Sequence, residues 1–447
     1  MERIAVTVAA LAGIFLCPAA AQTIGSAAPA DTSALSSPPP PLRFNLEECL
    51  SYAMGNNFTR QQMQLSEQSY GATYRQSKRE RLPDVSASLS ETVGHTSGAS
   101  GTWSGSYGVD ASVTIYQGGA IGHAIEQSKL QLENAAYQTS AYNNELTMQI
   151  LQNFLNVLGY EELLKYQEAV IAASEEQLKQ GKEQYAAGKI LESDYLMLEA
   201  QLAGDKSNVV DTRASRDNSL LTLKGLLSMD LSADLQIVYP DTSAIVSMQA
   251  IPAQEEVLQS AMAALPDLEV LRYGVRIAET NLKLSQAGHL PTVSLFAGLS
   301  TGHQRYSELG AQLSDRFTQQ AGVRVSIPIF SKGQTQTKIL QSKLSLQQAK
   351  LDRQQGELSI KQSVLQEYLN VRTALAKYET AIVKENAYRK TFDAYRAQFN
   401  VGSITAVELL QQQNNYISAL NDYVQSKYGF MLKRKMLDVY MGVAVKM

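Results

Sequence analysis

The sequence predicts a mainly α-helical protein with a small transmembrane β part, built from two pseudo-equivalent halves. Three observations predict this class. Two very long stretches have helical character and contain no proline, the chain runs through one order of motifs twice, and each copy carries short segments in which apolar and polar residues alternate. With 18% charged residues and 12 prolines in 447 residues, the composition also favours long regular elements joined by few loops.

The N-terminus has the pattern of a secretory signal followed by a tether. An apolar run from Ile4 to Leu16 precedes a proline and three alanines at 18–21. This run is shorter than the roughly 20 residues that a spanning helix needs, which favours a signal peptide over 1–21 rather than a membrane anchor. Lipidation of Cys17 is open but disfavoured, because the bulky Leu16 precedes it. The Ala, Ser, Thr and Pro-rich segment 22–43 is predicted to be flexible.

Composition and spacing argue against several kinds of partner and chemistry. The net charge of -4 and the lack of a long basic run argue against nucleic acid. Cys49 is the only cysteine after the signal, so no intramolecular disulfide is expected. The four histidines have no metal-ligand spacing, and no phosphate-binding loop or nucleophile motif is present. We therefore expect no metal, no cofactor and no enzymatic activity.

After the tether the chain repeats itself over a whole half-protein. We assign the first repeat to 44–228, an equatorial linker to 229–253 and the second repeat to 254–442. The matched pairs are Glu47-Glu48 with Glu255-Glu256, Leu82-Pro83 with Leu290-Pro291, Gly108-Val109 with Gly322-Val323, Leu155-Asn156 with Leu369-Asn370, and Gly188 with Gly402. Because the repeat is far longer than a solenoid unit of about 20–50 residues, each copy is predicted to be one half of the fold.

Each repeat is predicted to consist of a helix, a strand hairpin, a very long helix and a return helix. In the first repeat the last three occupy 83–116, 120–188 and 193–228, and in the second 291–330, 334–401 and 405–440. At 1.5 Å per residue each long helix reaches roughly 100 Å. Because each long helix ends at a glycine turn and the chain then returns, we expect a long antiparallel coiled coil in each half.

The strands alternate with period two and are long enough to cross a bilayer. In 107–115 the apolar residues occupy odd positions, and Ala321, Val323, Val325, Ile327 and Ile329 repeat this pattern. The segments His95–Ser106 and Thr301–Gln320 are interpreted as outer loops. Four strands cannot close alone, and open edges in lipid leave backbone groups unpaired, so the chain must oligomerise. A dimer would supply 8 strands, a trimer 12 and a tetramer 16, and the residues permit all three.

The order and duplication of these motifs resemble the TolC-like outer-membrane efflux protein (OEP) family. The resemblance spans about 44–442. The residues that carry it are Leu46-Glu47-Glu48, the two Leu-Pro pairs, the strand ends at 115–119 and 328–333, and the tips at 185–188 and 399–402. It implies a homotrimer with a helical tunnel and a shared 12-stranded β-barrel in the outer membrane of a Gram-negative bacterium. It also implies a periplasmic adaptor and an inner-membrane RND, ABC or MFS pump as partners, in tripartite efflux or type I secretion.

The resemblance and the alternation together suggest the functional residues. In the family an acidic ring follows the second glycine turn, and Glu408 stands at the first acidic position while Gln411 replaces the second. The aperture candidates are Phe399, Thr405, Glu408 and Gln411. The adaptor-docking candidates at the tips are Gly188, Glu192, Asp194 and Gly402. The residues expected to face the barrel lumen are Ser86, Ser88, Asp110, Ser112, Thr114, Arg324 and Ser326.

Two alternatives accompany these interpretations. Thr405 and Glu408 have the spacing of a helix capping box, so Glu408 could serve the helix start rather than a carboxylate ring. For the whole chain, an exported periplasmic coiled coil without a pore would also explain the signal and the long helices. That interpretation would leave Val109, Val113, Val325 and Ile327 exposed to water.

Overall fold

The structure is a computed structural model that describes residues 42–94, 102–238, 250–304, 310 and 314–444. The predicted signal peptide at 1–21, Cys17, almost all of the predicted tether and His95 lie outside the described residues. So does 239–249, the middle of the predicted linker.

The described elements confirm a mainly helical fold with two pseudo-equivalent halves. The first half contains β1 (Leu42–Phe44), α1 (Leu46–Asn56), α2 (Phe58–Arg79), β2 (Asp84–Gly94), β3 (Thr102–Gln117), α3 (Ala120–Ala186), α4 (Glu192–Leu227) and β4 (Leu235–Ile237). The second contains α5 (Gln254–Ala264), α6 (Pro266–Ala287), β5 (Thr292–His303), β6 (Thr318–Ser326), α7 (Gln334–Asn400) and α8 (Ala406–Tyr440). The long helices α3 and α7 have 67 residues each, and α2 and α6 have 22 each, so the halves match in length.

The long helices persist because no proline interrupts them and neighbouring helices bury their apolar stripes. Along α3 pack α2, α4, α6 and α8, whereas α7 packs on α6 and α8. Two shorter helices, α2 and α4, therefore follow one another along α3, as α6 and α8 do along α7. Within the described residues none of the helices combines the length and apolar character that crossing a membrane requires.

The main core lies midway along the long helices. Fully buried residues from α3 and α8, including Leu146, Phe154 and Phe430, meet residues of α1, α4, α5 and α7 there. Cys49 is completely buried in this core. Burial raises the pKa of its thiol to about 12, so Cys49 is a packing residue and a poor nucleophile.

A two-stranded parallel sheet ties the start of the described chain to the predicted linker. Leu42 lies opposite Leu235, and Phe44 lies opposite Ile237. Leu235 and Ile237 are buried, and this burial stabilises the pairing. The prediction that 22–43 is tether and that 229–253 is irregular is therefore wrong at these positions. Leu42 and Arg43 belong to β1, and 235–237 form β4.

The joint between α1 and α2 depends on one buried asparagine. The Asn57 side chain accepts the Arg60 N–H at 2.9 Å and so caps α2. Its amide also donates to the Leu226 carbonyl at 2.9 Å, and the Tyr142 hydroxyl donates to its oxygen at 3.1 Å. Asn57 thus attaches the start of α2 to both α3 and α4.

The other strands form one antiparallel sheet in the order β2-β3-β5-β6. Its strands extend further into the predicted outer loops than expected, because β3 begins at Thr102 and β5 continues to His303. Trp103 and His303 are therefore strand residues rather than loop residues. At the opposite end β6 stops at Ser326, so Ile327 and Ile329 fall beyond it. Pro328 lacks an N–H and cannot extend the ladder.

Candidate functional site

The two tips of the long helices have the same backbone geometry. Gly188 and Gly402 have φ values of 69° and 77°, in the left-handed region that favours glycine. At the first tip the Lys189 N–H donates to the Gln184 carbonyl at 2.8 Å, and at the second the Ser403 N–H donates to Gln398 at 3.0 Å. These hydrogen bonds satisfy carbonyl groups at the end of each long helix. Beyond the turn the chain runs back toward the main core.

The first tip carries an aromatic pair and an acidic helix start. The rings of Tyr185 and Tyr195 are stacked with centroids 5.8 Å apart, which joins α3 to α4 across the turn. The Asp194 carboxylate accepts the Leu191 N–H at 3.4 Å, and Glu192 is exposed. Both acids lie in the first turn of α4, where the helix dipole favours negative charge.

At the second tip Thr405 and Glu408 form the capping box. The Thr405 hydroxyl accepts the Glu408 N–H at 3.3 Å, and the Glu408 carboxylate accepts the Thr405 N–H at 2.9 Å. These hydrogen bonds lower the pKa of Glu408 below its ordinary 4.5. Because the folded-state pKa is the lower one, the box stabilises the fold above about pH 4.5, and this stability is lost as the pH falls through the lowered pKa.

The other two aperture candidates have different environments. Gln411 is exposed on the same helix and donates to the Asn415 side chain at 3.5 Å. Phe399 is almost fully buried, in a tip cluster with Leu198, Phe392, Ala406, Leu409 and Leu410. Within this chain Phe399 therefore does not line an opening, and its contacts hold the start of α8 against α4.

A buried polar network lies along the helices between the tips and the main core, and the sequence patterns do not predict it. Asp205 of α4 accepts the Ser174 hydroxyl at 2.6 Å and the Gln413 amide at 3.1 Å, and all three residues are buried. The Gln413 amide also donates to Ser174 at 2.7 Å. The network joins the helices of both halves. Asp205 lies midway between buried Leu198 and Thr212 at seven-residue spacing, so a charged residue at a coiled-coil core position was the available signal.

The residues predicted to face the lumen share one face of the sheet. Ser86 lies opposite Asp110, and Asp110 lies opposite Gly298. Thr114 lies opposite Ser294, which lies opposite Arg324, and the Thr114 and Ser294 hydroxyls are 3.2 Å apart. Because side chains alternate along a strand, Ser88, Ser112 and Ser326 lie on the same polar face. The other face carries exposed apolar residues such as Val85, Val109, Leu299 and Val325.

The apolar face ends in an aromatic and carboxylate cluster. Glu91 accepts a hydrogen bond from the Trp103 indole N–H at 2.6 Å and another from the Tyr107 hydroxyl. His303 is buried, stacks on Tyr107, and has its Nε2 atom 3.6 Å from the Glu91 carboxylate. Tyr and Trp with one polar end are typical of the membrane-water interface. Within the described residues no group of three or more metal-ligating side chains occurs here or elsewhere.

Comparison with known proteins identifies the family to which this chain belongs. The family model described as outer membrane efflux protein matches residues 49–228 and 257–443. TolC of Vibrio cholerae is 22% identical over 73% of this chain and 74% of its own length. BepC of Brucella suis is 23% identical over 59% of this chain and 56% of its own, and the alkaline protease secretion protein AprF of Pseudomonas aeruginosa is 23% identical over 67% and 62%.

Solved structures of outer-membrane channels are similar over most of the chain. A structure of CusC has a TM-score of 0.78 and 17% identity, and it covers 89% of this chain and 92% of its own. The Campylobacter jejuni outer-membrane channel CmeC has a TM-score of 0.77 and 16% identity, with 89% and 85% covered. At these identities the structural likeness establishes the fold. The two family matches coincide closely with the two helical and strand-bearing halves.

Proposed function

Because this chain belongs to the outer membrane efflux protein family, it is an outer-membrane channel subunit, and we propose that it serves passive export from the periplasm or from an inner-membrane pump. Its location is the outer membrane of a Gram-negative bacterium, with a large periplasmic part. The observation that carries the proposal is the four-stranded sheet with one polar and one apolar face, joined to two 67-residue helices that turn at glycine tips. A catalytic role is not part of the proposal.

The exposed edges of the chain favour a ring of several copies. Strands β2 and β6 are the two edges of the sheet, and an unpaired edge in lipid costs several kcal/mol for each unsatisfied backbone group. Four helices pack side by side in the order α2-α3-α6-α7, so α2 and α7 lie at the two ends of this layer. Both carry exposed apolar residues, Phe58 and Leu65 on α2 and Leu344, Leu351 and Leu358 on α7, at seven-residue spacing.

We infer that β6 and α7 of one copy pack against β2 and α2 of the next. Such a head-to-tail contact closes only as a ring. A homotrimer with a 12-stranded barrel fits the family, and in it Ser86, Asp110, Thr114, Arg324 and their neighbours on the polar face line the lumen. Val85, Val109 and Val325 then contact lipid. The tips, with Gly188, Glu192, Asp194 and Gly402, form the docking surface for a periplasmic adaptor and its RND, ABC or MFS pump.

At the periplasmic aperture we propose that Glu408 contributes a carboxylate ring while it also caps α8. Both roles are compatible because only the carboxylate edge that faces Thr405 is used in the cap. The substitution Glu408→Gln separates them, since glutamine also fits this capping position but carries no charge. Thr405→Ala is the matched control, because it removes the hydroxyl cap and leaves the carboxylate.

The test is cation against anion permeability of the purified protein in planar bilayers. We expect Glu408→Gln to move the permeability ratio toward one, with Thr405→Ala close to wild type. For wild type the ratio should fall only below pH 4.5, because the pKa of Glu408 is lowered. An unchanged ratio in Glu408→Gln would restrict Glu408 to its capping role. Absence of any conducting step in wild type would contradict the channel itself.

A further inference from the structure

One residue breaks the polar character of the sheet face assigned to the lumen. Among the described strand residues of that face, Phe296 is the only large apolar side chain. The residues of the face around it are Asp84, Ser112, Ser294, Gly298, Gly322 and Arg324. A phenyl ring on a hydrated surface forgoes the free energy of burial, so its position there needs an explanation.

The cross-strand neighbour of Phe296 makes room for its ring. Phe296 lies opposite Gly322, and a Cβ atom at position 322 would approach the Phe296 ring to 2.9 Å. The ring therefore lies across the glycine backbone. An aromatic ring that covers a glycine on the neighbouring strand stabilises a sheet, and this effect alone accounts for the Phe296–Gly322 pair. It does not account for the residue that lies over the ring.

That residue is Arg324. Its guanidinium Cζ atom is 5.1 Å from the centre of the Phe296 ring, within cation–π distance. Arg324 is exposed, and within the described residues no carboxylate lies within ion-pair distance of it. Its direct cross-strand neighbour is the neutral Ser294. Within one chain the ring thus orients the planar guanidinium and leaves its N–H donors available to an anion.

Two carboxylates share this face with Phe296. Asp84 is in the same row but two strands away, opposite Ser112, about 10 Å from Phe296 between backbones. Asp110 lies over Gly298, where a Cβ atom would meet its carboxylate at 2.7 Å. Phe296 precedes Gly298 by two residues, about 6.8 Å along the strand, and Arg324 lies in the row beyond Phe296. The Phe296 ring therefore lies between the row of Asp110 and the row of Arg324, and Arg324 is the charged residue that contacts it. Three copies would repeat the Phe296–Arg324 pair around the lumen.

We propose that Phe296 and Arg324 form a binding station inside the channel for planar aromatic anions. The guanidinium pairs with the carboxylate or sulfonate of the solute, and the solute ring stacks on the guanidinium and phenyl surface. This site rests on the proposed channel function and adds a class of permeant to it. Transient binding of this kind slows the passage of aromatic anions relative to other solutes of the same charge.

The experiment measures single-channel current of the full-length protein with 1-naphthalenesulfonate on one side. Methanesulfonate, which has the same charge and no ring, is the control solute. In wild type we expect concentration-dependent block by the aromatic anion only. Arg324→Gln should weaken this block about tenfold, as expected for the loss of a charged hydrogen bond. Phe296→Leu should weaken it by a smaller factor.

Two further variants separate the station from a general charge effect. Arg324→Lys keeps the charge but loses the planar fork, so block by the aromatic anion should still be weaker than in wild type. Gln320→Ala changes a neighbour on the same face and should leave the block unchanged. Equal block by both sulfonates, or equal block in Arg324→Gln and wild type, would overturn the station alone. A wild-type protein that never conducts would overturn the proposed function and the station together.

Discussion

Replacing Lys427 with methionine should lower the free energy of unfolding by about 3–5 kcal/mol, because it leaves a mostly buried carboxylate without its cation. The Lys427 ammonium lies 2.9 and 2.7 Å from the two oxygens of Glu162, and the side chains are only 9% and 15% exposed. The Tyr428 hydroxyl also donates to Glu162 at 2.6 Å. This hydrogen bond remains in the variant but does not neutralise the charge.

The matched control is Lys384→Met. Lys384 of α7 pairs with Asp422 of α8 at 2.7 Å, just as Lys427 of α8 pairs with Glu162 of α3, but the Lys384–Asp422 pair is exposed to solvent. Exposed pairs contribute little, so this variant should unfold close to wild type. Thermal unfolding in detergent, followed by circular dichroism at one protein concentration, makes the comparison, since the stability of an oligomer depends on concentration. Similar losses in both variants would show that burial of the Lys427–Glu162 pair is not what matters.

A single methyl group at Gly118 should destabilise the joint between strand β3 and helix α3 by about 2–5 kcal/mol. Gly118 has a φ of 59°, which is strained for any residue with a Cβ atom. A Cβ atom there would also meet the Leu290 Cβ at 2.6 Å and the Ala287 carbonyl oxygen at 3.0 Å. The backbone strain and the steric overlap caused by Gly118→Ala both occur where the sheet joins the helices. We therefore expect little assembled protein in the outer membrane.

Two neighbouring glycines supply graded controls for the same chemical change. Gly119 also has a positive φ, of 83°, but the nearest atom to an added Cβ is 3.7 Å away on His123. Gly119→Ala should therefore cost only the backbone strain, about 1–2 kcal/mol. Gly122 lies within α3 with open space around it, and Gly122→Ala should be neutral or slightly stabilising. Unfolding midpoints in any other order would contradict the joint as described.

The fold class was predictable because its signals are local and occur twice. Period-two alternation in 107–115 requires only neighbouring residues, and so does the absence of proline through 120–186. The glycine tips were equally visible, since Gly188 and Gly402 end their helices in the left-handed conformation. The capping box of Thr405 and Glu408 is formed as its spacing indicates.

Contacts between the halves could not be predicted from such signals. Glu162 and Lys427 are 265 residues apart, and Ser174 and Gln413 are 239 apart, so only the packed helices bring them together. The strand ends differ from their predicted positions for a related reason. Gly and Ser around Trp103 indicate a loop locally, whereas Glu91 and His303 extend the ladder through contacts across the sheet. Motif position predicts Phe399 at the aperture, whereas the tip cluster buries its side chain within this chain.

The most direct test of the central claim is the number of chains in the particle extracted from outer membranes, counted by native mass spectrometry in detergent. In the described part of one chain the antiparallel sheet has four strands and two open edges, so the chain can span a membrane only as part of a closed ring. We expect three copies, which close a barrel of 12 strands. A single chain that remains soluble and monodisperse without detergent would contradict the channel, and two or four copies would contradict the 12-stranded barrel.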